Sequence, residues 1–278
     1  MAAFTTVPEG GNPAGVVLDA SGATDTEMQR VAADVGYSET AFLLPTGEPG
    51  AFDVRYFSPL AEVPFCGHAT IAAAVAHASR NGPGPLRFAT PAGPVPVEVT
   101  VDRTGALSAT LTSVPPRTVE LAEPDLDELM ATLGWPGAAL DPGLPPRVAF
   151  AGAWHPVLAA ATRDRLAELD YDFDRHGALM AARDWTTVQL VFREQPTLFH
   201  ARNPFPPGGV REDPATGAAA AALGGYLREL GLVVPPITVT VHQGDDLGRP
   251  GVLTVDLRAD DPRVRVSGVA VPIPDPLG

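Results

Sequence analysis

The amino-acid sequence contains one succession of elements twice, roughly 150 residues apart, and this internal repeat constrains the fold more than any other feature. Apolar residues at helical spacing predict helices over 25–36 and 173–183, and each is followed by a β-strand. A further helix in each half, over 66–77 and 216–227, consists mostly of alanine and other small residues around a glycine. A strand–turn–strand pattern then follows in both halves. We therefore predict two related domains with a boundary near residues 114–118.

The predicted fold class is α+β, with two pseudo-symmetric domains. The alanine-rich helices are apolar on almost every face, which suits a central helix with a curved, mostly antiparallel sheet wrapped around it. We place the N-terminal domain at residues 1–114 and the C-terminal domain at residues 115–267. The last segment, 268–278, is expected to pack back on the N-terminal domain. The first strand–turn–strand pattern predicts a turn that begins at Arg103.

Composition excludes several classes of protein. The 278 residues include 19 arginines and no lysine, which excludes a lysine Schiff base and a lysine-containing P-loop. A net charge of -14 argues against nucleic-acid binding, and the single cysteine excludes a disulfide framework and a multi-cysteine zinc site. No apolar run reaches the roughly 18 residues of a membrane span, and no export signal is visible. We therefore expect a cytosolic protein that binds neither nucleic acid nor membranes.

The starts of the two alanine-rich helices predict a binding site for an anion. A helix N-terminus carries unpaired N–H groups and a positive partial charge, so two such ends facing one cleft would hold a carboxylate. Gly67 and Gly217 would let a ligand approach the backbone closely. Cys66 and Thr216 take equivalent places directly before these glycines, so the two loops are expected to confront each other.

Three side chains beside these helix starts are candidates for chemistry. Asp213 would stay ionised there or would serve as a plain N-cap. His68 could act as an acid, a base or a donor that orients the ligand, or could be a buried structural histidine. Cys66 and His68 are two residues apart and are not expected to face each other on a helix, so no thiolate–imidazole pair is predicted. The other histidines lack metal-ligand spacing, and no metal site is expected.

Glu39 distinguishes the two halves. When Tyr37 is aligned with Trp185, the counterpart of Glu39 in the second half is Thr187, so only one half carries an acid at this position. Such asymmetry is what a single-base active site between related domains would show. An exposed glutamate at the end of a strand is the alternative. Asn12 follows two glycines and precedes a proline, so it either binds a ligand or forms a turn.

Several motifs, in this order along the chain, resemble those of the PhzF family of phenazine-biosynthesis-type isomerases, whose fold is that of diaminopimelate epimerase. The resemblance covers nearly the whole chain. The matching motifs are Gly11-Asn12-Pro13-Ala14, Tyr37-Ser38-Glu39-Thr40-Ala41-Phe42, Tyr56-Phe57-Ser58-Pro59, Glu62-Val63-Pro64-Phe65-Cys66-Gly67-His68-Ala69-Thr70, Glu212-Asp213-Pro214-Ala215-Thr216-Gly217, His242-Gln243-Gly244 and Gly248-Arg249-Pro250-Gly251.

The resemblance implies a role for each matching residue. Glu39 would be the acid/base, while His68 and Asp213 would complete the polar site between the two domains. No cofactor is implied, the partner is a small-molecule carboxylate substrate, and the assembly is a homodimer. Residues expected to contact the substrate are Asn12, Cys66, Gly67, Thr216, Gly217, Ala218 and Gln243.

One departure from the family pattern limits what the resemblance implies. Ala218 stands where the best-characterised phenazine enzymes have a serine, which argues against assuming their dihydro-hydroxyanthranilate substrate. The related epimerases use two opposed cysteines, and the lone Cys66 excludes that two-thiol reaction. We predict a cofactor-independent isomerase that moves a proton between carbons of a small carboxylate. The alternatives are an epimerase or racemase of a small amino or hydroxy acid that uses Glu39 with Cys66 or Asp213, and a non-catalytic small-molecule-binding protein.

Overall fold

The structure is a computed structural model that describes residues 1–102 and 104–274. The predicted turn at Arg103 and the last four residues of the 268–278 segment therefore lie partly or wholly outside the described residues. The chain divides into two compact units. Unit 1 comprises Met1–Thr112 and the C-terminal segment that begins at Ser267, and unit 2 comprises Ser113–Val266.

In its described residues, unit 1 contains two α-helices, short N-terminal strands and a longer set of paired strands. Its helices are α1 (Asp25–Val35) and α2 (Gly67–Asn81). Its strands are β1 (Ala2–Ala3), β2 (Asn12–Pro13), β3 (Gly15–Val17), β4 (Thr40–Pro45), β5 (Ala51–Phe57), β6 (Glu62–Val63), β7 (Gly84–Thr90), β8 (Gly93–Val101) and β9 (Leu107–Thr112).

Helix α2 lies buried against the strands of unit 1. It contacts β1, β3, β4, β8 and β9, and ten of its fifteen residues are buried. Alanine or another small residue at most of its positions lets the strands approach from several sides, as the sequence predicted. Helix α1 is amphipathic and covers β4 and β5 through Met28 and Ala32. It begins with a capping box, in which the Thr24 backbone N–H donates to Glu27 Oε2 at 2.8 Å.

Unit 2 contains four α-helices and a second set of strands. Its helices are α3 (Glu123–Leu133), α4 (Arg163–Ala167), α5 (Phe173–Ala182) and α6 (Gly217–Glu229). Its strands are β10 (Arg117–Glu120), β11 (Arg147–Phe150), β12 (Trp154–Ala159), β13 (Gln189–Gln195), β14 (Leu198–Phe205), β15 (Val210–Asp213), β16 (Ile237–Gln243) and β17 (Gly251–Leu257), and the chain continues into β18 (Val264–Val271).

The strand pairings of the two units follow the same pattern. In unit 1, β3–β4 and β5–β7 are parallel while β4–β5 and β7–β8 are antiparallel. In unit 2, β12–β13 and β14–β16 are parallel while β13–β14 and β16–β17 are antiparallel. The alanine-rich helices α2 and α6 occupy equivalent places in the two sequences of elements. The predicted α+β class and its internal repeat are therefore confirmed.

Small residues let α6 pack closely in unit 2. A Cβ atom on Gly224 would lie 2.7 Å from Val255 Cγ1, and one on Gly225 would lie 2.5 Å from Pro116 Cβ. Larger side chains at these positions would collide with these neighbouring side chains and push the helix away from them. Among the described helices, none is both long and apolar enough to cross a membrane.

Candidate active site

Glu39 lies in unit 1, directly before β4. Its backbone oxygen accepts a hydrogen bond from the Gly15 N–H at 3.0 Å, which continues the parallel pairing of β3 with β4. Its side chain is only 14% exposed. Glu39 is therefore a shielded carboxylate, and the alternative of an exposed strand-end glutamate does not describe it.

His68 faces this carboxylate from the first turn of α2. Its Nε2 atom lies 3.4 Å from Glu39 Oε2 and 3.4 Å from Ser38 Oγ, and its side chain is 7% exposed. An imidazole in this position can fix the orientation of the carboxylate and exchange a proton with it. Ser38 was not among the predicted site residues. The only signal for it in the sequence is its place beside Glu39 in the Ser-Glu-Thr motif.

Two buried hydroxyl groups hold the start of α2 in place. Thr70 Oγ1 donates to the backbone oxygen of Cys66 at 2.6 Å, and it also lies 2.6 Å from the Tyr56 hydroxyl. Burial raises the pKa of Tyr56, so its phenol stays protonated and neutral. This network fixes the backbone on which Cys66 and His68 stand.

The prediction that Cys66 and His68 do not face each other is wrong. Cys66 Sγ lies 3.3 Å from His68 Nδ1. The spacing argument assumed that both residues are helical, whereas Cys66 is the N-cap of α2 and has an extended backbone, with φ -144° and ψ 115°. An extended N-cap turns its side chain back over the first helical turn. The thiol, the imidazole and the Glu39 carboxylate consequently form one cluster.

This cluster combines side chains that can bind a metal ion. Donor atoms of Glu39, Cys66 and His68 all lie within 4.8 Å of one another. The sulfur, however, lies 3.3 Å and 3.8 Å from the two ring nitrogens. A metal would bind a ring nitrogen along the direction of its lone pair. A sulfur that is 3.3 Å from one nitrogen and 3.8 Å from the other lies beside the ring and away from both of these directions. The geometry therefore fits proton exchange better, and the absence of a metal remains a prediction.

In unit 2, Asp213 ends β15 and belongs to a buried network at the start of α6. Asp213 Oδ2 accepts a hydrogen bond from Thr216 Oγ1 at 2.5 Å. Gln243 Nε2 donates to the Asp213 backbone oxygen at 2.8 Å, and Gln243 Oε1 accepts from the Thr216 N–H at 3.1 Å. All three residues are buried. Thr216 is the N-cap of α6, so the alternative interpretation of Asp213 as the N-cap is wrong.

The other predicted site residues lie at the starts of the two alanine-rich helices or on strands. Gly67 and Gly217 are the first residues of α2 and α6, and Ala218 follows in the first turn of α6. Asn12 is buried in β2, opposite Ala3 of β1. The hydrogen bonds of Thr216 and Gln243 hold the loop that carries Asp213. Contact of any of these residues with substrate remains a prediction.

Gly244 is essential for the same loop, and we expect Gly244→Ala to destabilise unit 2. Its φ of 90° favours glycine, and a Cβ atom there would lie 2.8 Å from the Pro214 carbonyl oxygen and even closer to that of Arg249. Gly248→Ala is a matched control, because Gly248 has a φ of 69° but has no atom within 4 Å of its Cβ position among the described residues. In urea unfolding, the midpoint should fall much further for Gly244→Ala, and equal shifts would contradict the steric argument.

Comparison with known proteins identifies the relatives of this chain. The sequence model of the PhzC-PhzF family, described as phenazine biosynthesis-like protein, matches residues 1–275. The chain belongs to this family. An isomerase from Deinococcus radiodurans, described as uncharacterized, is 35% identical over 272 residues, which cover 95% of this chain and 87% of that protein. A trans-2,3-dihydro-3-hydroxyanthranilate isomerase from Pseudomonas fluorescens is 30% identical over an alignment that covers 97% of this chain and 94% of that protein.

Solved structures agree with the family assignment. A PhzF-family phenazine biosynthesis protein from Bacillus anthracis superposes with a TM-score of 0.87 at 28% identity, over 97% of this chain and 94% of that one. A probable proline racemase from Agrobacterium radiobacter has a TM-score of 0.60 at 15% identity, over 94% of this chain and 85% of that one, which shows a shared fold alone. The predicted family and the epimerase-like fold are confirmed, and the chain is an isomerase of the PhzC-PhzF family.

Proposed function

We propose that the chain is a cofactor-independent isomerase in which Glu39 moves a proton between two carbons of a small carboxylate. The observation that carries the proposal is the shielded contact of 3.4 Å between Glu39 Oε2 and His68 Nε2 at the start of a buried helix. In the first step, the carboxylate takes a proton from a substrate carbon and becomes a neutral acid. In the second step, it returns that proton to a different carbon, so the protein ends unchanged and the product is an isomer.

The helix starts supply groups that bind the substrate carboxylate. The N-cap residues of α1, α4 and α5 are Thr24, Thr162 and Asp172, and the side chain of each accepts a hydrogen bond from the backbone N–H group three residues later. Among the described helices, α2 and α6 have polar N-cap residues whose side chains make no such bond. Backbone N–H groups at Gly67, His68, Gly217 and Ala218 are the donors we assign to the carboxylate and to charge that develops during proton transfer.

A single base agrees better with this geometry than an opposed Glu39–Cys66 pair. Two bases on opposite faces of one carbon, each about 3 Å from it, would be about 6 Å apart. The donor atoms of Glu39 and Cys66 lie within 4.8 Å of each other. They therefore approach a substrate from the same side, which supports proton transfer along one face. We assign His68 to proton relay and Asp213 to substrate orientation.

The substrate class is a small carboxylate with an acidic C–H bond. The Pseudomonas relative acts on trans-2,3-dihydro-3-hydroxyanthranilate. Ala218 offers no hydroxyl group at the start of α6, so we do not extend that substrate to this chain. Following the family resemblance, we also propose a homodimer in the cytosol, where the thiol of Cys66 would remain reduced.

Isotope retention tests the proposed reaction. Small unsaturated and amino carboxylates are first screened by thermal shift, and those that bind are then incubated with the protein in D₂O and followed by ¹H NMR. We expect an isomer that keeps part of the transferred protium, because one carboxyl group carries it between carbons. Inversion at a single carbon with complete deuteration would indicate a two-base epimerase instead. Binding without any turnover would contradict the catalytic assignment.

A further inference from the structure

A second polar cluster lies in unit 2, and it includes Thr187, the counterpart of Glu39 in the second half of the sequence. His155 of β12, Thr187, Gln189 of β13 and Asn203 of β14 are each at most 1% exposed. Thr187 Oγ1 lies 2.9 Å from His155 Nδ1 and accepts from Asn203 Nδ2 at 2.8 Å. Asn203 Nδ2 also donates to Gln189 Oε1 at 2.7 Å. We call these four residues the inner polar cluster.

Three atoms of the inner polar cluster have no hydrogen-bond partner within the described part of the chain. They are His155 Nε2, Gln189 Nε2 and Asn203 Oδ1, and all three are buried. The oxygen and nitrogen of a carboxamide can be assigned in either orientation. If both the Gln189 and the Asn203 carboxamides were turned over, one donor and one acceptor would still have no partner. Burial of several polar atoms without partners is costly, so the cluster is expected to bind something that this chain does not itself supply.

The inner polar cluster shares a sheet face with the Asp213 network. Asn203 and Asp213 are direct partners across the β14–β15 pair, so their side chains point to the same side. Gln243 lies opposite Ala201, two residues from Asn203 on the same face of β14. Polar side chains therefore continue across neighbouring strands, from His155 to the start of α6.

The chemistry of the cluster selects a neutral ligand group. Burial lowers the pKa of His155 to about 4, so the imidazole is neutral at pH 7, and the other three side chains carry no charge. A charged group would find no opposite charge among these four side chains, which makes its burial costly. Gln189 and Asn203 are hydrogen-bonded to each other, and one has an unpaired donor while the other has an unpaired acceptor. This combination matches a hydroxyl or carboxamide group, because each of these groups both donates and accepts.

We propose that the inner polar cluster is a specificity subsite that binds a hydroxyl or carboxamide group of the substrate. This inference rests on the proposed function, since it extends a carboxylate-binding isomerase to hydroxy acids and amide-bearing acids. The substrate carboxylate would bind at the helix starts, and the neutral group would pair with Gln189 and Asn203. Ordered water in the cluster is the competing explanation, and it predicts no preference among ligands.

Two matched pairs of acids test the subsite. The probes are 3-hydroxybutyrate with butyrate, and glutaramate with glutarate. Tryptophan fluorescence is a suitable readout, because Trp154 precedes His155 and Trp185 lies two residues before Thr187. We expect the wild-type protein to bind the hydroxyl- or amide-bearing member about 10-fold more tightly in each pair. Thr187→Val should reduce this preference to within about 2-fold and leave the affinity for butyrate unchanged, whereas Thr187→Ser should restore it.

A chemically similar pair in unit 2 provides the control. Thr132 Oγ1 lies 2.7 Å from His176 Nδ1, and both residues are buried. Thr132→Val should therefore keep the full preference. If Thr187→Val does not fold, Gln189→Met removes the unpaired amide and should abolish the preference in its place. Equal binding within both pairs would overturn the subsite alone, while failure of all four acids to bind would overturn the carboxylate site and the subsite together.

Discussion

Glu39→Gln is expected to lower kcat/KM by roughly 10²–10⁴-fold, the usual contribution of a positioned acid/base. Glutamine keeps the shape of the side chain and can still contact His68, but its amide cannot take a proton from carbon at neutral pH. The loss should therefore appear in kcat, with KM nearly unchanged, because the backbone groups that bind the carboxylate remain. The measurement is steady-state turnover of a substrate identified by the D₂O screen.

A surface glutamate of unit 1 provides the control for this variant. Glu48 forms an exposed ion pair with Arg87, and Glu48→Gln should leave kcat/KM unchanged. Far-UV circular dichroism monitors the fold of both variants. Ser38→Ala should cost less than Glu39→Gln, because the Ser38 hydroxyl contacts the imidazole and is not the assigned base. Activity of Glu39→Gln within 10-fold of the wild type would contradict the assigned role of this carboxylate.

The sequence predicts the fold best at those helices whose amino-acid composition is enough to show that they are buried. Helices α2 and α6 consist mostly of small residues, and the structure buries most of both helices. The β-strand predicted after the 173–183 helix starts later than the sequence suggests, since β13 begins at Gln189. Trp185 pairs with Trp154 through an isolated bridge, and the chain departs from regular pairing before Gln189. Local propensity cannot reveal such an interruption, because it depends on the neighbouring strand.

The candidate site could be predicted only in part, for a similar reason. Motif resemblance indicated Glu39 and His68, but their contact depends on how β4 and α2 meet. The Cys66–His68 contact was predicted wrongly, because sequence spacing does not show that Cys66 is an extended N-cap. Asn203 and His155 belong to no predicted motif. Their cluster forms from residues on three different strands, and no local pattern in the sequence records that arrangement.

Glu212→Gln is expected to lower the free energy of unfolding of unit 2 by about 3–5 kcal/mol, the usual cost of breaking a buried ion pair. Glu212 accepts from Arg202 Nε at 3.0 Å, and the two side chains are only 4% and 9% exposed. Arg202 also donates to the Ala167 backbone oxygen at 2.6 Å. Because a guanidinium keeps its proton, removal of the Glu212 charge leaves a buried cation without the carboxylate that pairs with it.

Removal of the cation, in Arg202→Met, should lower the free energy of unfolding less than removal of the carboxylate. Burial raises the pKa of Glu212 even with Arg202 beside it, so in Arg202→Met the remaining carboxyl group can become neutral by taking up a proton. The double variant Arg202→Met with Glu212→Leu should recover most of the lost stability, because neither charge remains buried. We therefore expect Glu212→Gln to be the least stable of the three. A greater loss in Arg202→Met would contradict this order.

Urea unfolding followed by tryptophan fluorescence measures this effect in unit 2 alone, because all three tryptophans, Trp135, Trp154 and Trp185, belong to that unit. Asp170→Asn is the control, since it removes an exposed partner of Arg211 and should leave the midpoint unchanged. Adjacent residues of a strand point to opposite faces, so Glu212 anchors β15 on one face while Asp213 serves the start of α6 on the other. The activity of Glu212→Gln should consequently fall only to the extent that the substitution destabilises β15. Asp213→Asn, in contrast, should reduce activity while the stability of the protein stays nearly normal.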